Sequence, residues 1–138
     1  MDWVIRAIDF FLNREPFVDA PYFEDDFGRK IWYFADGEPI DDIQVYYRSK
    51  RIGRMRLRWE EEYLELADIV IFQTNKKFRG AGIGSMMFQI GVDLGRMHNS
   101  HAFVGRMQSE TKDDWDRLVR FYKKQGCEIN KNIFVYRL

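Results

Sequence analysis

Residues 75–87, NKKFRGAGIGSMM, decide the fold of this chain. Three glycines, Gly80, Gly82 and Gly84, fall within five positions, directly after a basic segment that contains Phe78. Glycine loses more backbone freedom on folding than any other residue, so this density indicates a backbone that turns tightly or approaches another group closely. The segments on either side show what kind of group that is.

A strand pattern precedes the glycines and a helix pattern follows them. Residues 63–74, YLELADIVIFQT, are apolar and β-branched, which predicts a central strand covered on both faces. After the glycines, apolar residues recur at helical spacing, at Ile83, Met86, Met87, Ile90, Leu94 and Met97. Gly91 and Gly95 weaken this helix unless it packs very close to a sheet. A strand, glycine-rich turn and helix in this order predict an anion site, because free N–H groups and the helix dipole point at one place.

The remaining segments predict an α/β fold with a mixed sheet. Alternating patterns predict strands at 30–35, 43–47, 54–59 and 101–107, and two short strands within 127–138. A turn is predicted at 48–53, and loops and short helices around the strand in 13–42. A second helix is predicted at 112–126, with acids in its first turn, lysines in its last and Gly126 as the C-cap. The first dozen residues are ambiguous between strand and helix.

Length and composition limit the kind of protein. The 138 residues fit one domain, 1–138, and the 22 basic and 22 acidic residues argue against a partner held by bulk charge. One cysteine, Cys127, excludes an intrachain disulfide. No segment has the pattern of a signal peptide or a membrane span, so we expect a soluble, cytoplasmic protein that contacts no membrane. His98 and His101 are expected on the surface, with no metal site.

Two familiar phosphate loops do not fit the glycines. The dinucleotide pattern G-x-G-x-x-G fails, because Ser85 stands where a third glycine would follow Gly80 and Gly82. The Walker loop fails because no lysine follows the last glycine. A tight strand-to-helix turn that binds nothing is the alternative to an anion site.

A third pattern fits at every position. Residues 79–84, RGAGIG, match Q/R-x-x-G-x-G/A, and residues 120–128, RFYKKQGCE, match a later L-Y-x-x-x-G-F pattern at Tyr122 and Gly126. With these motifs and this element order, residues 43–138 resemble the GNAT superfamily of acyl-CoA-dependent N-acetyltransferases. The resemblance implies a mixed, mostly antiparallel central sheet flanked by helices, with acetyl-CoA bound at the glycines.

The resemblance also implies which residues contact acetyl-CoA. Backbone amides of residues 79–85 would hold its diphosphate, and the side chains of Lys77 and Arg79 would add charge. The pantetheine arm would pair with the strand that splays from its neighbour just before the loop. The residues so assigned are Phe72, Gln73, Thr74, Lys77, Arg79, Gly80, Ala81, Gly82, Ile83, Gly84 and Ser85.

The implied reaction is direct attack of a primary amine on the thioester, which requires a base because such amines are mostly protonated at neutral pH. The family often carries a carboxylate on the strand before the loop, which here is Asp68, with Glu65 and residues 60–62 as alternatives. The alternative to a catalytic base is that Asp68 is an acid at the end of the strand, either paired or solvated. The tyrosine of the later motif, here Tyr122, would protonate the departing thiolate, or it is a core aromatic.

The amine acceptor is not identified by the sequence. The family generally builds its acceptor site on helices after the first strand, and residues 13–28 show no clear amphipathic helix. Acidic residues in 19–26 and 36–42 could attract a cationic acceptor, stay solvated, or pair with the arginines of 54–58. Three positions depart from the family: Lys76 replaces a proline, Cys127 replaces a phenylalanine, and Trp115 lies near the place of an asparagine.

Two other functions stay open. A non-catalytic acyl-CoA-binding module would keep the loop without the chemistry of Asp68 and Tyr122. Nucleic-acid binding would use residues 46–59, YYRSKRIGRMRLRW, which mix aromatics with six basic residues. The balanced charge does not favour it. A homodimer is compatible with the resemblance.

Overall fold

The computed structural model describes residues 20–72, 78 and 80–138. Within them lie eight strands and two helices: β1 Tyr22–Glu24, β2 Lys30–Asp36, β3 Asp42–Tyr47, β4 Lys50–Trp59, β5 Tyr63–Ile71, α1 Ile83–Met97, β6 Ala102–Arg106, α2 Lys112–Lys124, β7 Glu128–Asn130 and β8 Ile133–Arg137. The strands form one sheet in the order β1-β2-β3-β4-β5-β6-β8-β7. The β5–β6 pair is parallel, while β1–β2, β2–β3, β6–β8 and β7–β8 are antiparallel. The predicted mixed α/β sheet flanked by helices is confirmed.

The chain divides into two compact units. The first is Met1–Met55 with Ile69–Met86, and the second is Arg56–Asp68 with Met87–Leu138. No helix in the described parts of the chain is long and apolar enough to cross a membrane.

An antiparallel meander forms most of the first unit. Strands β2 and β3 pair from Trp32↔Tyr46 to Asp36↔Asp42. The buried apolar side chains of the meander are Phe23, Ile31, Trp32, Ile43, Val45, Ile52 and Met55. Burial of these side chains stabilises the meander by roughly 25 cal/mol per Å² of apolar area removed from water.

The structure differs from the sequence analysis in three places in this segment. Strand β1 was not predicted, because three residues are too few to show an alternating pattern. The short helices expected within 13–42 do not occur in residues 20–42, where a turn at 37–41 joins β2 directly to β3. The turn expected at 48–53 is only two residues long, since Arg48 adopts φ +55 and the return strand starts at Lys50.

In the second unit, helix α1 packs unusually close to the sheet through its glycines. A Cβ on Gly91 would lie 2.5 Å from Cζ of Phe103, and a Cβ on Gly95 would lie 2.6 Å from Cδ1 of Leu138. The buried face of the helix follows these glycines, so the predicted apolar stripe was partly wrong. Met86 and Met97, which the stripe included, are exposed by 38 % and 74 %.

Helix α2 begins and ends where the sequence indicates. Thr111 is its N-cap and accepts a hydrogen bond from Asp114 N–H at 3.1 Å. Gly126 follows the last turn at φ +97, which is the conformation that ends helices. Strands β7 and β8 follow as the predicted hairpin, which turns at Lys131 with φ +56.

Strand β5 is central, as predicted, but in the second unit it is buried on one face only. Leu64 and Leu66 are buried, whereas Tyr63 before them and Ala67 after them are exposed. The apolar run of the sequence therefore overstated how far this strand is covered.

Candidate active site

Residues 80–85, here called the glycine loop, lead into helix α1 in the first unit. Gly80 and Gly82 adopt φ +69 and φ +81, the left-handed region that residues with a Cβ disfavour. The N–H of Met86 donates to the Gly82 carbonyl at 3.1 Å, which starts the helical hydrogen bonds. Glycine is therefore required at both positions by backbone conformation.

The glycine loop presents backbone rather than side chains. The side chains of Ala81 and Ile83 are buried, and a Cβ built on Gly80 would meet no atom of the described residues within 4 Å. The first N–H groups of a helix have no partner within it, and the first turn of α1 contains no acidic residue. These features fit a phosphate group, which the amides and the helix dipole would stabilise.

The predicted cofactor residues fall into three groups. Gly80, Ala81, Gly82, Ile83, Gly84 and Ser85 form the glycine loop. Gln73, Thr74, Lys77 and Arg79 lie outside the described residues. Phe72 follows strand β5, and its N–H donates to the Ile52 carbonyl at 3.0 Å. Successive residues of an extended strand direct their amides to opposite edges. Since the Phe72 amide points toward β4, the Ile71 amide points toward the edge of β5 that faces away from β4.

Two elements that the sequence did not connect with the glycine loop hold it in place. Phe78 is buried, and the guanidinium carbon of Arg29 lies 4.4 Å from the centre of its ring. Asp26, in the turn between β1 and β2, donates its N–H to the Ala81 carbonyl at 2.8 Å. The sequence signal was Phe78 itself, a large apolar residue inside a basic segment.

In the second unit, the parallel pairing of β5 and β6 stops before β5 does. The pairs run from Tyr63↔Ala102 to Leu66↔Gly105. No later β5–β6 pair occurs among the described residues, although β5 continues to Ile71. Unpaired strand edges present N–H and C=O groups that another extended chain can bond.

Tyr122 lies on the buried face of α2. Its side chain is 4 % exposed, and its ring stacks on Phe134 with centroids 4.1 Å apart and planes 11° apart. Phe134 packs in turn on Gly105, where a Cβ would lie 2.7 Å from its Cζ. A glycine inside a strand signals such a close approach, but the sequence does not show that the approach positions Tyr122.

The Tyr122 hydroxyl is held in its protonated form. Burial, followed by the charges of Cys127 and Asp68, raises the pKa of Tyr122 to about 12. Within residues 20–72, 78 and 80–138 this hydroxyl makes no hydrogen bond. A buried donor without a protein partner has a strong free-energy preference for one on a ligand.

Asp68 is exposed on β5, on the same face as Leu64 and Leu66, because alternate residues of a strand share a face. Its charge contributes to the raised pKa of Tyr122.

The alternative bases lie elsewhere. By the same alternation Glu65 is on the opposite face of β5, where Nη1 of Arg58 contacts its Oε2 at 3.0 Å. Residues 60–62 are exposed. A cavity of about 440 Å³ includes Glu65 but neither Asp68 nor Tyr122; it is lined by Glu62, Tyr63, Glu65, His101, Ala102, Val104, Gly105, Arg106 and Ile133.

Cys127 is joined to Tyr122 through the backbone, since its N–H donates to the Tyr122 carbonyl at 3.0 Å. Its side chain is buried, and burial raises the pKa of the thiol to about 12. The thiolate is the reactive form of cysteine, so this thiol is inert at neutral pH.

The acidic residues near the N-terminal strands have two environments. Asp42 accepts two hydrogen bonds from Arg54, at 2.8 and 3.1 Å, and buried Asp25 pairs with Arg29. One alternative from the sequence was that these acids pair with the arginines of 54–58, and this is confirmed for Asp42 with Arg54. The exposed acids of this segment are Glu24, Asp26, Asp36, Glu38 and Asp41.

Both histidines are exposed, as predicted, and the ring of His98 lies 4.7 Å from that of Trp59. Among the described residues no group of three or more His, Cys, Asp or Glu side chains could hold a metal ion.

No protein-family model matches the sequence, and no curated protein matches it. Solved structures do match this chain. A GNAT family acetyltransferase from Elizabethkingia anophelis with acetyl-CoA bound is 16% identical, with a TM-score of 0.60 over 70% of this chain and 75% of that one. Arabidopsis thaliana Naa50, in complex with the bisubstrate analogue CoA-Ac-MVNAL, is 21% identical, with a TM-score of 0.53 over 71% of this chain and 72% of that one.

A third match is the PaiA N-acetyltransferase from Thermoplasma acidophilum in complex with coenzyme A. It is 14% identical, with a TM-score of 0.55 over 71% of this chain and 60% of that one. At such identities the likeness concerns the fold.

Proposed function

We propose that this chain, which has the fold of the GNAT acetyltransferases, moves an acetyl group from acetyl-CoA to a primary amine. The observation that carries the proposal is the glycine loop, where Gly80 and Gly82 adopt φ +69 and φ +81 directly before the first turn of α1. In a chain of this fold, an amide-lined site at that place supports binding of the acetyl-CoA diphosphate.

Binding in this proposal is mostly through backbone. The amides of residues 79–85 hold the diphosphate, and Lys77 and Arg79 add charge-assisted hydrogen bonds. The edge of β5 that faces away from β4 pairs with the pantetheine arm, to which we also assign Phe72, Gln73 and Thr74. An N–H on this edge also stabilises the negative charge that develops on the thioester oxygen.

The bound thioester supplies an electrophilic carbonyl carbon and a thiolate leaving group. Asp68 accepts the proton that the attacking nitrogen loses, through a bridging water, because the aspartate side chain is short. A nitrogen–carbon bond forms, the carbon–sulfur bond breaks, and its electron pair leaves on sulfur. General-base assistance of this kind is worth about 10²–10⁴-fold in rate.

Tyr122 stabilises the thiolate by donating a hydrogen bond and keeps its proton. Its pKa is about 12, whereas an ordinary thiol has a pKa of about 8.5, so complete proton transfer would be uphill by about 5 kcal/mol. A hydrogen bond to a charged group contributes about 1.5–3 kcal/mol without that transfer. In this proposal Tyr122 therefore acts as a hydrogen-bond donor rather than as the general acid expected from the sequence.

The test is calorimetric titration of acetyl-CoA into the wild-type protein and Gly80→Ala. The added methyl meets no atom of the described residues within 4 Å, so we expect the folded state to lose mainly the strain of φ +69, about 1–2 kcal/mol. Acetyl-CoA affinity falls by more than about tenfold, since the methyl displaces at least one charge-assisted hydrogen bond. Gly126→Ala is the matched control, because Gly126 has φ +97 and only an ordinary contact at 3.5 Å.

Turnover is then measured by thiol release with a panel of primary amines. Binding that Gly80→Ala abolishes, together with thiol release, supports the proposal. Binding without release from any amine indicates the acyl-CoA-binding module instead. Absence of binding at millimolar acetyl-CoA refutes both, and equal effects of Gly80→Ala and Gly126→Ala remove the glycine loop from the site.

A further inference from the structure

The turn between β1 and β2 has a rigid internal structure. Oδ1 of Asp25 accepts hydrogen bonds from the N–H groups of Phe27 and Arg29 at 3.0 and 2.9 Å. Its Oδ2 accepts one from Nε of Arg29 at 2.6 Å. Burial alone would raise the pKa of Asp25, but the hydrogen bonds and charge of Arg29 and the hydrogen bond from Phe27 outweigh it and lower the pKa. The turn therefore keeps its ion pair at neutral pH.

This ion pair fixes the turn against the start of the glycine loop. The guanidinium of Arg29 is held by Asp25 and lies 4.4 Å from the centre of the buried Phe78 ring. It also lies 5.9 Å from the centre of the Tyr47 ring, on the neighbouring strand. Stacking on aromatic rings suits the planar guanidinium, so the turn and Phe78 are held together.

The next residue of the turn contacts the glycine loop directly. Asp26 donates its N–H to the Ala81 carbonyl at 2.8 Å. In a planar trans peptide the carbonyl and the following N–H point in opposite directions. Fixing the Ala81 carbonyl toward the turn therefore directs the Gly82 N–H away from it, and keeps a carbonyl oxygen from facing a bound anion.

We propose that the β1–β2 turn is a positioning element for the diphosphate of acetyl-CoA, with Asp25 holding the turn and the Asp26 backbone orienting the Ala81–Gly82 peptide. This inference rests on the function proposed above and concerns only the contacts of the chain with the diphosphate of acetyl-CoA. Asp25 and Asp26 act through the glycine loop and do not touch the reacting atoms.

The Asp26 side chain has the opposite effect from its backbone. A Cβ on Gly82 would lie 2.6 Å from Oδ1 and 2.8 Å from Oδ2 of Asp26, so this carboxylate stands beside the glycine loop. A negative charge there repels a diphosphate. The turn thus combines a backbone contact that favours binding with a charge that weakens it, and the two effects are separable by substitution.

The experiment compares CoA with pantetheine, which lacks the diphosphate. CoA is titrated calorimetrically into wild type, Asp25→Ala, Asp25→Asn and Asp26→Asn, and pantetheine affinity is measured by competition with CoA. Asp25→Ala weakens CoA on the order of tenfold, the loss of one well-placed hydrogen bond, and pantetheine by less than about twofold. Asp25→Asn keeps the Oδ1 acceptor, so its CoA affinity lies between those of Asp25→Ala and wild type.

Asp26→Asn keeps the backbone N–H and removes the charge, so it tightens CoA by about threefold and leaves pantetheine unchanged. Asp41→Asn is the matched control, an exposed acid in the next turn of the meander, and changes neither affinity. If Asp25→Ala does not fold, Asp25→Asn decides.

Equal losses for CoA and pantetheine in the Asp25 variants, or no loss of CoA affinity, overturn the inference while wild type still binds CoA. A wild-type protein that binds no CoA overturns the proposed function, and this inference with it.

Discussion

Replacing Tyr122 by phenylalanine removes one oxygen and keeps the ring that stacks on Phe134 at 4.1 Å. Because burial raises the pKa of Tyr122 to about 12, we expect its hydroxyl to donate a hydrogen bond and keep its proton. The substitution therefore removes one hydrogen bond to a charged group, about 1.5–3 kcal/mol. Since 1.36 kcal/mol corresponds to a tenfold change in rate, kcat falls about 10–150-fold. The Kd of acetyl-CoA stays within about twofold of wild type, because the lost contact forms in the transition state.

The assay is thiol release at saturating acetyl-CoA between pH 7 and 10.5. Because its pKa is raised, Tyr122 keeps its proton throughout this range, so wild type shows no alkaline loss of kcat from this group. Tyr136→Phe is the control, since it removes another hydroxyl near Phe88, whose ring centre lies 5.8 Å from that of Tyr136. An unchanged kcat in Tyr122→Phe, or a wild-type rate that declines with an apparent pKa near 10, refutes the reasoning.

Three further substitutions test neighbouring groups. Asp68→Asn lowers kcat/KM most at pH 7 and least near pH 10, where amines lose their proton unaided; pH–rate profiles measure this, and an equal loss at every pH argues against a base. Cys127 resists alkylation at pH 8 until the protein unfolds, because its pKa is about 12. The pKa of this thiol is higher in the folded than in the unfolded protein, so its contribution to the free energy of unfolding is complete below about pH 9. That contribution falls by up to about 4 kcal/mol as the pH rises toward 12, and Cys127→Ser reduces this fall in alkaline denaturation. Gly105→Ala lowers the free energy of unfolding by about 1–3 kcal/mol through overpacking against Phe134; denaturant titration checks it, and unchanged stability would contradict the packing.

Local patterns predicted the elements whose boundaries are set by local chemistry. Helix α2 was predicted from the acids in its first turn, the lysines in its last and Gly126 beyond it, all within consecutive residues; its N-cap, Thr111, was not predicted. Strand β1 could not be predicted, because three residues become a strand only through pairing with β2. The buried face of α1 is set by the contacts of Gly91 and Gly95 with distant residues, which periodicity does not contain.

The candidate site shows the same division. The glycines, Asp68 and Tyr122 follow from motifs, and the charge of Asp68 is one of the smaller causes of the raised pKa of Tyr122. Asp26 beside Gly82 could not be anticipated, because their contact joins segments more than fifty residues apart. The stack of Gly105, Phe134 and Tyr122 likewise depends on the register of three elements.

The early end of the β5–β6 pairing at Leu66↔Gly105 has a consequence for hydrogen exchange. If the pantetheine arm bonds to the edge of β5 beyond this point, the ligand acts as an added strand. The amide of Ile71 then exchanges with deuterium quickly in the free protein and slowly in the complex. The melting temperature also rises with ligand concentration, since stability increases by RT ln(1 + [L]/Kd). Deuterium uptake would therefore report donor binding residue by residue, before any acceptor amine is known.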